Sequence, residues 1–231
     1  MNGLPGIRAH LEAIRGRIQR ACERAGRPVV SVILVGASKT VPVGSLREAV
    51  ALGLTDLGEN RVQEAAPKVA ALGRAGITWH MIGHLQRNKA GKAVECFDRV
   101  HGVDDLELAT ALSTRAMTAG RVLPVLVEVN VSGEASKHGT SPDRLEELIA
   151  RMRGLPGVAV DGLMTIARSS GRTEDARADY ARLRELRDRA ETSLGVKLPQ
   201  LSMGMSADFE VAIEEGATFV RVGSALFGAR V

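Results

Sequence analysis

Aromatic side chains are scarce: one tryptophan, one tyrosine and four phenylalanines make up 3% of the 231 residues. A protein that reads single strands of nucleic acid stacks bases on aromatic rings, and this composition offers no such platform. The two cysteines, Cys22 and Cys96, lie far apart and in no CxxC spacing. No disulfide framework is expected, and both read as small buried thiols. No apolar run approaches the roughly 20 residues that cross a membrane. The segment 1–26 lacks the continuous apolar stretch of a secretion signal, and its charges recur at helical spacing instead. The expectation is a cytoplasmic protein with no membrane partner. HExxH, GxSxG, Walker A and GxGxxG patterns are missing as well.

Net charge is +4, and arginine supplies most of the excess. It is dispersed over helical segments such as YARLRELRDRAE, where Glu185 and Asp188 interleave with it. That pattern reads as a solvated face held by i,i+3 and i,i+4 pairs. Without a basic block or tail, nucleic acid is not expected as a partner.

What the chain does have is alternation. Strand-like runs at 29–36, 55–58, 78–83, 99–103, 123–131, 159–165, 200–204 and 219–223 are separated by helical patterns near 42–53, 60–73, 84–93, 105–119, 141–153, 173–194 and 207–215. A further helix leads the chain at about 5–25. Leu145, Leu148, Ile149 and Met152 show the helical period, Ser141 and Pro142 open that helix, and Gly154 closes it. Eight evenly spaced β/α units in one undivided chain predict an α/β fold, a single (β/α)8 TIM-type barrel over 1–231 with an extra N-terminal helix. A doubly wound sheet is the alternative.

In such a barrel, active groups lie at the C-terminal ends of the strands. Those ends carry Ser38 and Lys39, then Glu59 and Asn60, then Gly83 and His84. Further round come Asn130 and Ser132, Met164 and Thr165, Ser202 to Ser206, and Gly223 with Ser224. The segments GMSAD and RVGSALFG, after strands 7 and 8, fit the usual phosphate cradle of this fold. Lys39 is one of only six lysines and alone directly follows a long apolar strand. Partial burial there would depress its pKa and leave an amine able to capture an aldehyde. With a phosphate cradle across the mouth, the natural aldehyde is pyridoxal 5'-phosphate. A surface lysine with a buried stem is the alternative.

In FVRVG, period two sets Phe219 and Arg221 on one face and Val220 and Val222 on the other. The valines suit the helix layer, so Arg221 is expected inside the barrel, facing an anion or a cofactor ring nitrogen, or else paired with Glu128 or Asp161. His80 and His84 in WHMIGH do not predict a metal, because i and i+4 lie about 13 Å apart along a strand. His84 reads as a polar group at the strand mouth or as a structural histidine.

The blocks GASKT, GENRVQEAAPK, WHMIGHLQRNK, VNVSGEASKHG, GLMTI, LSMGMSADFEVAI and RVGSALFGAR, in this order over about residues 30 to 230, resemble the YggS/PROSC family of pyridoxal phosphate homeostasis proteins. The resemblance implies the barrel of alanine racemase, a fold type III cofactor fold. It implies a cofactor carried as an imine on Lys39, with its phosphate end held by Ser206, Arg221, Gly223 and Ser224. Asn60, His84, Met164 and Ser202 fall in matching blocks and complete the expected cofactor-binding set. Two positions depart from the common pattern: Arg61 stands where the family often has tyrosine, and Ser224 where threonine is common.

Racemases of this fold use a lysine on one face and a tyrosine from a second domain on the other. Here the chain ends at Val231, soon after strand 8, and its only tyrosine, Tyr180, falls in a helix read as exposed. A site lacking an evident second acid/base and open on one side suits holding and delivering a cofactor better than catalysis. The expectation is a monomeric, non-catalytic carrier, making at most transient contact with PLP-dependent apoenzymes. A weak amino-acid racemase is the alternative, and a barrel acting on a phosphorylated metabolite without the cofactor is a third reading.

Overall fold

Eight short parallel strands close into a barrel in chain order: β1 (Ile33–Ala37), β2 (Asp56–Glu59), β3 (Thr78–Met81), β4 (Arg99–Val103), β5 (Leu123–Glu128), β6 (Val158–Met164), β7 (Gln200–Ser202) and β8 (Phe219–Val222). Closure is made by β1 against β8, with Leu34 opposite Val220 and Val35 opposite Arg221. The computed structural model describes residues 6–168 and 173–228. Residues 1–5, 169–172 and 229–231 lie outside it. With them go the first residue of the expected leading helix and the last two of the RVGSALFGAR block.

Parallel neighbours require a crossover between each pair of strands, and helices supply it. These are α2 (Val43–Ala51), α3 (Val62–Leu72), α4 (Ala90–Cys96), α5 (Leu106–Thr118), α6 (Leu145–Met152), α7 (Thr173–Leu194) and α8 (Phe209–Glu214). A leading helix α1 (Ile7–Arg24) packs on α8, α2 and the short terminal helix α9 (Ser224–Phe227). None of the described helices is long and apolar enough to cross a membrane.

The period-two reading of the strands holds. Val220 and Val222 join the large cluster between barrel and helices, as do Trp79, Met81, Val125, Val127 and Leu201. Val35, Ile82, Leu126, Met164 and Phe219 form a second, smaller cluster inside the barrel. Gly58 of β2 also faces inward. A Cβ there would stand 2.8 Å from Ile82 Cδ1 and 2.9 Å from Val35 Cγ1, so only glycine fits. Barrels of this type are usually filled by bulky branched residues. Here much of the interior is polar, occupied by His80, His101, Ser202 and Arg221, all buried.

Three expectations are corrected. Residues 29–31 form a 3-10 turn rather than the start of β1. The ladder to β8 begins only at Ile33, whose N–H donates to Thr218 O, so the earlier valines have no strand to pair with and Val30 is 89% exposed. The helix expected at 84–93 begins later, because Leu85 turns into the core. A 3-10 turn at 87–89 then leads into α4. Tyr180 is fully buried rather than exposed, since it shares the inward face of α7 with Ala176, Leu183 and Leu186.

Candidate functional site

The turn after β1 presents Lys39. Val41 N–H donates to Ser38 O at 2.9 Å, closing a four-residue turn with Lys39 at its second position and Thr40 at its third. The third position has φ of +63°, which glycine or asparagine normally fills and which costs a β-branched residue on the order of 1–3 kcal/mol. Something must hold the turn in that shape, and it lies behind it. Ser38 is fully buried, and its hydroxyl donates to Glu59 Oε1 at 2.6 Å. Lys68, reaching across from α3, donates to the same Glu59 oxygen at 2.5 Å and to Ser38 O at 2.6 Å. The ion pair has no exposed carboxylate surface. It fixes the backbone immediately before Lys39.

Lys39 itself is half-buried and borders two cavities. One, of about 350 Å³, lies between β1 and β8 and is walled by Lys39, Thr40, Asn60, Gly223, Ser224 and Phe227. The other, of about 680 Å³, runs over the mouths of β2 and β3 and is walled by Lys39, Asn60, Arg61, Glu64, His84 and Lys89. Lys39 and Asn60 are thus the ridge shared by both. Asn60 sits close because Gly83 lets the chains touch: a Cβ at Gly83 would fall 2.7 Å from Asn60 O. Across the first cavity, Ser206 ties the two C-terminal loops together. Its Oγ accepts from Gly223 N–H and Ala225 N–H, each at 3.3 Å.

Of the nine residues expected at the site, Lys39, Asn60, Gly223 and Ser224 line the first cavity, His84 lines the second, and Ser206 braces the wall. The other three lie deeper. Met164 is fully buried in the inner apolar cluster. Arg221 is 5% exposed; it donates to Ser202 Oγ at 2.6 Å and to Thr165 O at 2.9 Å. Neither carboxylate weighed as its ion-pair partner takes that role: Asp161 pairs with Arg99, and the hydrogen bonds of Arg221 go to neutral oxygens. Burial pulls its pKa down, against the pull of Tyr180, Glu128 and Asp208.

A polar file continues inward from Arg221. Ser202 Oγ is 2.8 Å from His101 Nδ1, His101 Nε2 is 3.0 Å from His80 Nδ1, and His80 Nε2 is 2.9 Å from Asp56 Oδ1. It runs from the C-terminal mouth of the barrel to the N-terminal end of β2. Burial holds the pKa of His101 well below the ordinary histidine value, and His80, Arg221 and Arg99 add to that. His101 is therefore neutral.

Sequence reasoning missed this file, the Glu59–Lys68 brace and the Thr40 strain. Lys68 left a readable trace: it falls at i+6 from Val62 and i+3 from Ala65, on the buried face of α3. A lysine on an apolar stripe demands a buried partner.

Residues 9–231 match the family model described as alanine racemase, N-terminal domain. A pyridoxal phosphate homeostasis protein of Aquifex aeolicus is 49% identical over 95% of this chain and 96% of its own length. One of Pseudomonas aeruginosa is 44% identical over 97% and 96% respectively. Among solved structures, PipY of Synechococcus elongatus with PLP bound superposes with a TM-score of 0.84 at 36% identity, covering 96% of this chain and 100% of that one.

Proposed function

The chain belongs to the alanine racemase N-terminal-domain family, among its pyridoxal phosphate homeostasis proteins, and on that premise we propose that it binds pyridoxal 5'-phosphate reversibly at Lys39 and serves to buffer or deliver it. When bound, this cofactor supplies an aldehyde, which a lysine amine captures with loss of one water, and a phosphate. The residues present fit both ends. Two backbone N–H groups already converge on an oxygen, that of Ser206, at the corner made by Gly223 and Ala225. An amine stands on the other wall of the same cavity.

The observation that carries this reading is that Lys39, Asn60, Gly223 and Ser224 wall one cavity, whose size lies within the range of small-molecule sites. In it Lys39 supplies the amine, and the strained turn and the Glu59–Lys68 pair fix where that amine points. Ser206, Gly223 and Ser224 receive the phosphate. Arg221, held by Ser202 and Thr165, supplies a fixed positive charge beneath the site. His84 and Asn60 border the open side.

Holding rather than turnover is supported by where the tyrosine lies, outside the linings of both cavities at Lys39. Tyr180, the only tyrosine, is fully buried, and burial together with Asp208 pushes its phenol well above the ordinary range. It is poorly placed to exchange protons with a bound amino acid.

Absorbance of the purified protein beside Lys39→Ala, with pyridoxal 5'-phosphate added and before and after borohydride, tests the assignment. Wild type should show a cofactor band that reduction fixes to the chain, and the variant should lack it. A reducible band of equal strength in Lys39→Ala would overturn the role of Lys39. Absence of any band in wild type would overturn cofactor binding here. A Lys39-dependent loss of optical rotation from an L-amino acid would replace the carrier by an enzyme.

A further inference from the structure

Beside the mouth of the barrel, three elements that share no sequence motif bring two imidazoles and a carboxylate together. His84 follows β3, Asp104 follows β4, and His138 lies in the loop after β5. One ligand atom from each can be chosen so that all lie within 4.8 Å of one another. His84 Nδ1 is 3.7 Å from Asp104 Oδ2, and the two imidazole rings stack at 3.8 Å between centroids, 9° from parallel. We propose that His84, Asp104 and His138 form a binding site for a divalent transition metal ion of the Zn²⁺ class.

Unsatisfied buried carboxylate oxygens, one within the cluster and one on the neighbouring strand, suit a cation here. The Asp104 Oδ1 atom is buried and accepts no hydrogen bond, and the same is true of Glu128 Oε2 on the neighbouring strand. Glu128 is only 4% exposed. Its Oε2 occupies the space left by the missing side chain of Gly102, where a Cβ would come within 3.1 Å of it. Buried carboxylate oxygens are normally satisfied by donors or by a cation. Neither Asp104 Oδ1 nor Glu128 Oε2 has a donor among the described residues.

Two imidazole nitrogens and one carboxylate oxygen are a donor set suited to zinc, with a fourth position open to water. The geometry also states what must move. Ligands about 2.0–2.2 Å from a tetrahedral ion stand roughly 3.4 Å apart, closer than the 4.8 Å outer limit here. The lone pairs of imidazole nitrogens lie in the ring planes, and two nearly parallel planes do not converge on one ion, so the stack must open for both rings to bind it. Both histidines are exposed, which leaves that rotation free. The site shares His84 with the wall of the larger cavity, whereas His138 borders neither cavity at Lys39, and the test below adds no cofactor.

The test is titration of the full chain with Zn²⁺ alone, followed by calorimetry and by nitrogen-detected NMR of the five histidines. One equivalent should bind, with the ring nitrogens of His84 and His138 shifting and those of buried His80 and His101 unchanged. His138→Ala and Asp104→Asn should each weaken binding at least tenfold, the lower end of what loss of even an outer-shell partner costs. No shift at His84 or His138 up to millimolar Zn²⁺ would overturn the proposal, as would undiminished affinity in folded His138→Ala. The NMR readout decides on wild type alone should a variant fail to fold.

Discussion

Lys68 Nζ and Glu59 Oε1 meet at 2.5 Å in a position from which both also grip Ser38, the residue before the candidate anchoring lysine. The pair belongs to the helix–barrel interface rather than to either cavity, and its effect on the site passes through the backbone of one turn.

Removing one partner of this pair leaves a buried charge unpaired. Lys68→Ala should destabilise the fold by about 3–5 kcal/mol, read as a lowered urea midpoint with unchanged slope. Lys68→Met combined with Glu59→Gln should recover most of that loss. Cofactor affinity should fall in the single variant more than its stability at the working temperature explains, because the Lys39 turn is no longer held.

Glu128 sets one pH dependence. Burial, reinforced by Asp104, raises its pKa from 4.5 to about 7. The folded state therefore binds a proton that the unfolded state has released between those values. The stabilisation is fully present below pH 4.5 and is lost as pH rises through 7. Glu128→Gln removes the titration. Relative to wild type, the variant should gain on the order of 3 kcal/mol between pH 4 and pH 8, measured as the change with pH in the difference between their urea midpoints.

His101 acts in the opposite sense. Its pKa is held below the ordinary 6.5, so on acidification the unfolded chain takes up a proton that the folded chain refuses. The stability it contributes is present above pH 6.5 and is lost as pH falls below that value. His101→Gln should remove this contribution and uncover the opposite slope of Glu128, read as stability that falls as pH rises from about 4.5 to 7. The two groups offset each other below neutrality in wild type, so each slope emerges only in the variant lacking the other.

Gly58→Ala should destabilise by roughly 1–3 kcal/mol through overpacking inside the barrel. The added methyl meets Ile82 Cδ1 and Val35 Cγ1. Combination with Ile82→Val, which deletes the nearer of those atoms, should restore part of the loss in thermal melts.

The fold was legible because its two periods are clean. Alternation in β8 put Arg221 inside and the valines outside, and the structure agrees. Period-two reasoning failed at Val29 and Val30, where β propensity has no neighbouring strand to satisfy it. Tyr180 was misread because an arginine-rich helix masks the narrow apolar stripe that carries it inward. The strand-end rule brought Lys39, Asn60, Gly223 and Ser224 to one cavity wall. What it could not supply were partnerships made across the barrel, since His80 meets Asp56 and His101 by register and closure rather than by any spacing in the chain. The same blindness hid the meeting of His84 with His138, because one strand alone offered His84 only His80 for company.

The buried file from Asp56 to Arg221 admits two proton arrangements. With His80 neutral, its Nε2–H points to Asp56, His101 carries its proton on Nε2, and the Ser202 hydroxyl donates to His101. With a proton added to His80, its Nδ1–H donates to His101 instead, His101 switches tautomer, and Ser202 accepts from both His101 and Arg221 while turning its own hydrogen away. No heavy atom need shift between the two. The proton placement beside Asp56 and the direction of the Ser202 hydroxyl beside Arg221 are thereby two ends of one choice, written in hydrogen bonds along the barrel axis.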